Sequence, residues 1–469
     1  MEQNPPAHYD VVIIGGGPGG YAAALYGASA GLKIAIVEKD KVGGSCLHRG
    51  CIPAKELLES ASVNRTVRHA AEFGVYVDEP KIDWSVTVDR KQRVIDQMWG
   101  GLKQLLSGRK VDIYAGVGTL GPSHQVNVVA DDGTSAVLLG TAVILATGSV
   151  PRTIPGFDPD GRIIFTSDEF LDLRTLPAKA AVIGGGAIGC EFASTLADMG
   201  TEVTILEGLP KILPGCDKDA AAIVERSFKK KGMTIRTGVS VTGHTPRPDG
   251  GTSVAFGEET LDVDIVVVSV GRAPVANGVV ADGTGVSVSE RGFFEVDEHC
   301  RTGEPGVWAI GDCIATPQLA HIGFIEGINA IKDILGENPA AVDYGKVPWA
   351  IYCHPEVSFA GYTEESAKEA GYEVVTNKHR FIGNGRAVIL GETDGLVKVI
   401  AEKRPDGSGD KILGVHMVGP WVTEQLGQGY LAVNWEATVD ELAALIQPHP
   451  SMSELFGETV IALTGRSLH

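Results

Sequence analysis

Positive charge is in deficit in this chain. Lys and Arg total 40 against 59 Asp and Glu, a formal net charge of −19. A surface of that sign argues against nonspecific binding to DNA or RNA, whose phosphates call for Lys and Arg, while leaving room for a local basic patch. Cysteine is scarce too: 7 residues in 469 are too few for a secreted scaffold stapled by disulfides. Long apolar runs are missing. The most apolar stretch, residues 11–37, is interrupted by Gly15, Gly16, Gly17, Pro18, Gly19 and Gly20, so it reads as strand, turn, helix and strand rather than a membrane span. The first ten residues are polar and contain proline, without the basic start and apolar core of a secretory signal. The expectation is a cytoplasmic protein that contacts neither nucleic acid nor membrane. What is plentiful is glycine, 61 residues, which favours tight turns and close backbone approaches. The chain is long enough for several domains and a large core.

The glycines are not scattered. "YDVVIIGGGPGGYAAALYGASAGLKIAIVEKD" begins as an apolar strand and continues Gly15-x-Gly17-x-x-Gly20 into a helix; a second strand ends at Glu38. In such a unit the first glycine permits the tight turn and the second admits a pyrophosphate to the backbone. The third lets helix and strand pack closely, and the helix N-terminus offers free N–H groups. Glu38 stands where a carboxylate can accept from ribose hydroxyls. The pattern recurs in "AAVIGGGAIGCEFASTLADMGTEVTILEG", with Gly184-x-Gly186-x-x-Gly189 and a strand ending at Glu207. The distance from first glycine to carboxylate is 23 positions in both copies. One such fingerprint is weak; two in matching strand–turn–helix–strand context imply two dinucleotides in one chain. The usual reason for that pairing is electron transfer between a nicotinamide and a flavin. A carboxylate at Glu207 would accept from a free 2′-hydroxyl and repel a 2′-phosphate, and Gly208, Leu209 and Pro210 supply no arginine to reverse this, so NAD is favoured over NADP. "VILATGS" (residues 143–149), "VVVSVGRAP" (266–274) and "GVWAIGDC" (306–313) add strands ending in small-residue turns, the last carrying Gly311-Asp312.

"GGSCLHRGCIPAK" (residues 43–55) places Cys46 and Cys51 five positions apart. A structural bridge, half a metal site, a redox couple and two unrelated thiols are all open readings. A bridge across so short a loop would remove little unfolded-chain entropy, and a strained one is easily reduced. Pro53 followed by "AKELLESAS" signals a helix start. A thiol at a helix N-terminus has its thiolate favoured, and Lys55 adds a nearby positive charge. These conditions suit a redox couple. His48 lies between the thiols, but no second Cys or His pair has ligand spacing, which disfavours zinc. Cys190, Cys216, Cys300, Cys313 and Cys353 are isolated and read as small buried hydrophobes. Near the C-terminus, "PHPSMSELFGE" (448–458) sets His449 five positions before Glu454, ahead of a helix expected near Ser451 or Ser453. The carboxylate could orient the imidazole and stabilise its protonated form; helix capping is the competing reading.

Taken in order, "GGSCLHRGCIPAK", the two fingerprints, "AIGD" and "HPSMSE" make the chain resemble the flavin-dependent pyridine nucleotide–disulfide oxidoreductases, and among them the dihydrolipoamide dehydrogenases, over essentially its whole length. The resemblance implies FAD and NAD as cofactors, oxidation of protein-bound dihydrolipoamide with reduction of NAD, and a homodimer. It implies that Cys51 lies against the flavin as the charge-transfer thiolate and that Cys46 exchanges with the substrate dithiol. Lys55 would pair with Glu191 beside the flavin, and His449, held by Glu454, would be a base supplied by the partner subunit. Gly118, Thr147, Gly148, Asp312 and Ala320 join Gly15, Gly17, Gly20 and Glu38 as cofactor-binding candidates; Val239 and Gly271 join Gly184, Gly186, Gly189 and Glu207. The implied partner is a lipoyl-bearing protein of a 2-oxo acid dehydrogenase or glycine-cleavage complex. Departures from the family pattern stand at Gln447, usually His, at Ile322-Gly323, usually Lys-Ala, and at His48-Arg49, often Asn-Val. Reduction of a glutathione- or mycothione-type disulfide is the alternative activity, and a non-catalytic assembly role a third reading. No cysteine follows Cys353, which disfavours a mercuric reductase.

The expected fold class is α/β, with two Rossmann-like dinucleotide-binding domains and a C-terminal α+β dimerisation domain. Residues 1–150 and 273–345 would form the FAD domain, 151–272 an inserted NAD domain and 346–469 the dimerisation domain. "EKRPDGSGDK" (402–411) has the composition of a hairpin turn. "KKK" (229–231) and "DEH" (297–299) read as solvated surface.

Overall fold

The computed structural model describes residues 6–468. The chain divides into two compact units, one of residues 1–56, 85–152 and 271–344, the other of 57–84, 153–270 and 345–469.

The first unit is built on a seven-stranded sheet. Strand Ala7–Ile14 pairs in parallel with Ile34–Glu38 on one side and Ser135–Leu145 on the other. Val11, Val12, Ile13, Ile36 and Leu145 are fully buried or nearly so, as expected of parallel strands covered on both faces. Asp112–Ala115 extends the parallel edge, Val307–Ala309 adds in parallel to Ser135–Leu145, and two short strands complete the sheet antiparallel. Helix Pro18–Ser29 packs on helix Ala320–Ile334 through small residues: a Cβ at Gly327 would come 2.5 Å from the Gly19 carbonyl oxygen, and one at Gly323 would come 3.3 Å from the Gly19 nitrogen. That contact accounts for the glycine at 323, and Ile322 beside it is buried.

The chain leaves this unit and returns through an antiparallel pair of short strands, Ser149–Pro151 with Arg272–Pro274. Between them lies a second parallel sheet, in which strands Thr234–Thr237, Glu202–Glu207, Lys179–Ile183, Ile265–Val268 and Ile164–Phe165 neighbour one another in that order. A three-stranded antiparallel sheet covers residues 241–263. The C-terminal segment forms a five-stranded antiparallel sheet with helices over it, and strands Leu396–Lys403 and Gly409–Gly419 make the hairpin expected around Asp406-Gly407. Gly407 has φ +91°, the left-handed backbone a tight turn asks of glycine.

The charge runs divide. Asp297 is exposed and accepts the N–H groups of His299 and Arg301 at 2.9 Å. Lys231 does not sit on a solvated face. Its ammonium lies 2.9 Å from Asp198, which also binds Arg65, and both partners are largely covered. Lys231 ends the helix Lys218–Lys230 as its C-cap; Lys229 and Lys230 stay exposed.

Candidate active site

The two fingerprint turns obey the same steric rules. A Cβ on Gly15 would fall 2.2 Å from the Ala146 oxygen, and one on Gly184 would fall 2.4 Å from the Ser269 oxygen. A Cβ on Gly20 or Gly189 would sit 1.9 Å from the oxygen of Gly15 or Gly184. Packing alone therefore demands glycine at these four positions. It does not at the middle ones: a Cβ on Gly17 meets only the Gly44 Cα at 3.9 Å, and one on Gly186 meets nothing within 4 Å. No side chain caps the starts of helices Pro18–Ser29 and Ala187–Asp198, whose N-cap residues are Gly17 and Gly186. A bare helix N-terminus beside open glycine backbone suits a pyrophosphate, so these residues fit a dinucleotide in each module.

Each acidic residue closes its own turn. Glu38 accepts Gly16 N–H at 2.7 Å and Asp40 N–H at 2.9 Å; Glu207 accepts Gly185 N–H at 2.5 Å and Leu209 N–H at 2.7 Å. A carboxylate has about four acceptor sites, so both retain capacity for ribose hydroxyls. Burial pushes the Glu38 carboxyl up against the pull of Gly16 N–H and Lys39.

The thiols do not lie on an irregular loop. Gly43 N–H bonds the Gly16 carbonyl at 2.7 Å, so the first fingerprint itself holds the start of the cysteine segment. Gly43 (φ +110°) and Gly44 (φ +58°) then turn the chain into a short helix, Gly44–Arg49, that carries Cys46. Gly50 breaks it, and a long helix starts at Cys51, two residues before Pro53, running to His69. A hydrogen bond links the two cysteine side chains. That bond, then burial, push the Cys46 thiol well up, with Lys55 pulling the other way. Lys55 lies one helical turn beyond Cys51. His48 points its Nε2 at the Val42 carbonyl, 3.0 Å away, and its ring edge-on to Trp99; burial lowers its pKa. Among the described residues no group of three or more His, Cys, Asp or Glu is arranged to hold a metal.

The remaining candidates divide between the units. Asp312 sits in the turn Gly311–Cys313 and accepts from Ser149 Oγ at 2.6 Å; Arg272 donates to that oxygen and to the Ser149 carbonyl, and its Nε stands 3.8 Å from the Asp312 carboxylate. Thr147 donates to the Val275 carbonyl, and Val275 N–H bonds Gly148 O. A Cβ on Gly148 or Gly271 would meet nothing within 4 Å, but their φ of +70° and +105° is the left-handed backbone that favours glycine. Gly118 is different: its Cβ would press on Val37 and Ile14 at 3.0–3.1 Å, so packing accounts for it. Ala320 begins the helix Ala320–Ile334. Val239 N–H bonds the Glu207 carbonyl. Glu191 is buried on helix Ala187–Asp198 and accepts the Tyr352 N–H at 2.9 Å. Lys55 belongs to the first unit and Glu191 to the second. His449 Nδ1 and Glu454 Oε1 are 2.7 Å apart, and Glu454 Oε2 accepts the Ser451 N–H, so one carboxylate both orients the ring and fixes the turn before helix Glu454–Ala462. Burial raises the Glu454 carboxyl, but Ser451 N–H and His449 outweigh it and hold it below its ordinary range. The His449 side chain is 82% exposed in the single chain. Gln447 packs against Gly457.

Sequence reasoning passed over three features. Tyr21, directly after the first fingerprint, has its hydroxyl pushed up to about 12 by burial and then by Cys46 and Cys51. Ser149 and Arg272 hold Asp312; both lie inside small-residue turns at strand ends, which gave no sign of that role. Lys398 is 1% exposed and lies 2.9 Å from each of Asp217, Asp219 and Glu364, a pairing across sequence that no spacing reveals. The five other cysteines are buried, as expected.

Known proteins share this arrangement. Residues 9–327 match the family model of pyridine nucleotide-disulphide oxidoreductases, and 347–460 match the dimerisation domain of the same family. A dihydrolipoyl dehydrogenase of Bacillus subtilis is 41% identical over 98% of this chain and 99% of its own; one of Zymomonas mobilis is 39% identical over the same shares. The crystal structure of LpdA from Mycobacterium tuberculosis covers 97% of this chain and 99% of its own, with a TM-score of 0.90 at 26% identity. The HOCl-induced flavoprotein disulfide reductase RclA of Escherichia coli, in a Cu(II) complex, covers 98% of this chain and all of its own, with a TM-score of 0.87 at 26% identity. Doubled fingerprint turns, a thiol pair seated on the first, and full-length identity with such enzymes place this chain in the pyridine nucleotide–disulphide oxidoreductase family, alongside its dihydrolipoyl dehydrogenases.

Proposed function

We propose that the protein is an FAD-dependent dihydrolipoyl dehydrogenase that oxidises protein-bound dihydrolipoamide and reduces NAD. The observation that carries the reading is the hydrogen-bonded thiol pair held at its start by the first dinucleotide turn, which puts a two-electron centre beside a cofactor cradle. Bound FAD supplies a two-electron acceptor, and NAD removes the electrons as hydride.

The chain's own residues do the rest. In the oxidised enzyme Cys46 and Cys51 share a disulfide. His449 takes the proton from one substrate thiol, and the thiolate attacks Cys46 Sγ. The new sulfur–sulfur bond forms as the Cys46–Cys51 bond breaks, and its electron pair stays on Cys51, whose charge the helix N-terminus favours. The second substrate thiol then displaces Cys46: His449 returns its proton to the departing Cys46 sulfur, which leaves as the thiol, and takes up the proton of the attacking substrate thiol. Glu454 orients His449 and steadies its protonated form. Lys55 and Glu191 each serve the flavin, as the family resemblance implies. Residues 1–150 and 273–345 bind FAD, 151–272 bind NAD, and 346–469 join two copies. The exposure of His449 supports a site completed by a second copy. The partner is a lipoyl-bearing protein of a 2-oxo acid dehydrogenase or glycine-cleavage complex.

The test is steady-state turnover with dihydrolipoamide and, in reverse, with oxidised glutathione and mycothione, each with both nicotinamides. Preference for dihydrolipoamide with NAD is expected; faster turnover of a small disulfide with NADPH would overturn the reading. Mixing Cys46→Ser with His449→Ala subunits tests the shared site. One intact site per mixed dimer should restore activity; no recovery after demonstrated subunit exchange would count against it.

A further inference from the structure

Glu326 is wholly buried yet carries a carboxylate. It lies on helix Ala320–Ile334, and three donors converge on it. Gly311 N–H is 2.6 Å from Oε2, the Tyr344 hydroxyl is 2.8 Å from Oε1, and the Thr316 side chain also donates. Burying a carboxylate is costly, and well-packed apolar side chains often serve stability as well or better. A purely structural account therefore leaves the residue unexplained. What its donors share is location. Gly311, at φ +72°, opens the turn that presents Asp312, and Tyr344 is the last residue of this unit before the chain enters the C-terminal segment. The neighbouring residues of the turn bond elsewhere: Ile310 N–H goes to the Leu145 carbonyl and Ile314 N–H to Gly311 O. Gly311 N–H goes instead to the Glu326 side chain. The Asp312 carboxylate is fixed from its other side by Ser149 and Arg272. Backbone and side chain of the same residue pair are thus held from two directions.

We infer that Glu326 is a positioning residue for flavin binding. It sets the pitch of the Gly311–Asp312 peptide so that the Asp312 carboxylate meets a hydroxyl of the flavin's ribityl or ribose chain, and Tyr344 locks Glu326 in place at the point where the chain departs for the dimerisation segment. The inference rests on the reading of Asp312 as a flavin contact. It names a residue that acts through another, so its mark is geometric. An isosteric amide at 326 keeps an oxygen for Gly311 N–H and should preserve flavin affinity, whereas truncation should not.

The experiment compares full-length E326A, E326Q, Y344F and D312A as reconstituted holoenzymes. It measures the FAD dissociation constant by flavin fluorescence, the visible flavin spectrum, and kcat and KM for NAD. E326A should weaken FAD binding about tenfold or more, in keeping with loss of a charge-assisted hydrogen bond, and shift the flavin bands. E326Q should stay within about threefold of wild type and Y344F should fall between. The KM for NAD should hold in all four. Wild-type FAD affinity and spectrum in E326A, or in Y344F should E326A fail to fold, would overturn the inference. So would a loss in E326Q as large as in E326A. If D312A alone retains full FAD affinity, the reading beneath has failed; if D312A loses it while E326A does not, only the role of Glu326 has.

Discussion

In the first module Glu38 ties down Gly16, and Gly43 N–H returns to the Gly16 carbonyl at 2.7 Å; in the second, Glu207 ties down Gly185, and Leu213 N–H returns to the Gly185 carbonyl at 2.8 Å. Up to that bond the two turns are close copies. Beyond it they part. After Gly43 the chain enters the short helix with Cys46 and then the long helix opened by Cys51. After Leu213 it passes through Cys216 to Asp217, which caps the helix Lys218–Lys230 and, fully buried, meets Lys398. The same turn therefore leads to the thiol pair in one module and to a buried ion cluster in the other. The two modules differ in the loop after the turn, the kind of segment that tolerates change while the turn itself is fixed.

Substitution of the thiols should break this symmetry most sharply. Cys46→Ser and Cys51→Ser should each lower lipoamide turnover by at least about a thousandfold, as expected when one member of a catalytic unit is removed. Some NADH oxidation by artificial acceptors should survive, because that step needs no thiol. Full lipoamide activity in Cys51→Ser would refute the assignment.

Glycine replacements test whether the cradles are equivalent. Gly20→Ala and Gly189→Ala force a Cβ to 1.9 Å from a carbonyl oxygen, and should each cost about 3 kcal/mol in unfolding measurements, the upper end of overpacking effects. Gly17→Ala and Gly186→Ala meet no such clash and should fold normally while losing FAD and NAD affinity respectively. Equal losses of stability at all four positions would show that the middle glycines are packing residues too.

Lys398→Met tests the second loop. It leaves buried Asp217 without its cation and should destabilise the protein by about 3–5 kcal/mol, without altering the pH dependence of thiol reactivity. Glu207→Ala should raise the KM for NAD in proportion to about 1.5–3 kcal/mol if a charged hydrogen bond is lost. Equal efficiency with NAD and NADP in the unmodified enzyme would remove Glu207 as the selector. The smallest effect concerns acid. Hydrogen bonds from Lys368 and then Lys398 hold the Glu364 carboxyl down to about 2, from an ordinary 4.5. A depressed carboxyl contributes stability above its unfolded value that disappears as pH falls through the folded one. Thermal scans of Glu364→Gln should therefore show a flatter decline between about pH 4.5 and pH 2 than the unmodified protein.

The parts visible in the sequence were those with short-range signatures. Two fingerprints at identical spacing, a Pro-marked helix start near Cys51 and the Asp406-Gly407 turn depend on local backbone geometry, which a few neighbouring residues dictate. The long helix begins at Cys51, and the Cys46 segment is itself helical, because Gly50 breaks one helix and its carbonyl starts the next by accepting Ala54 N–H. Lys231 defied its charge run for the opposite reason: whether a lysine at a helix end meets water or Asp198 depends on what packs over that end.

By itself the sequence determined the chemistry on offer: two dinucleotide turns, one thiol pair, one His–Glu pair, and carboxylates at the ends of two strands. Only the tertiary structure decided that packing demands glycine at 15 and 184 while 17 and 186 leave room for a ligand, since the clashing oxygens of Ala146 and Ser269 come from beyond the ends of distant strands. It likewise decided that Asp312 is held by Ser149 and Arg272, that Glu326 reaches Gly311, and that three carboxylates surround Lys398. Hydrogen bonds and ion pairs of that kind act over about 3 Å in space and are indifferent to separation along the chain, so no spacing rule announces them.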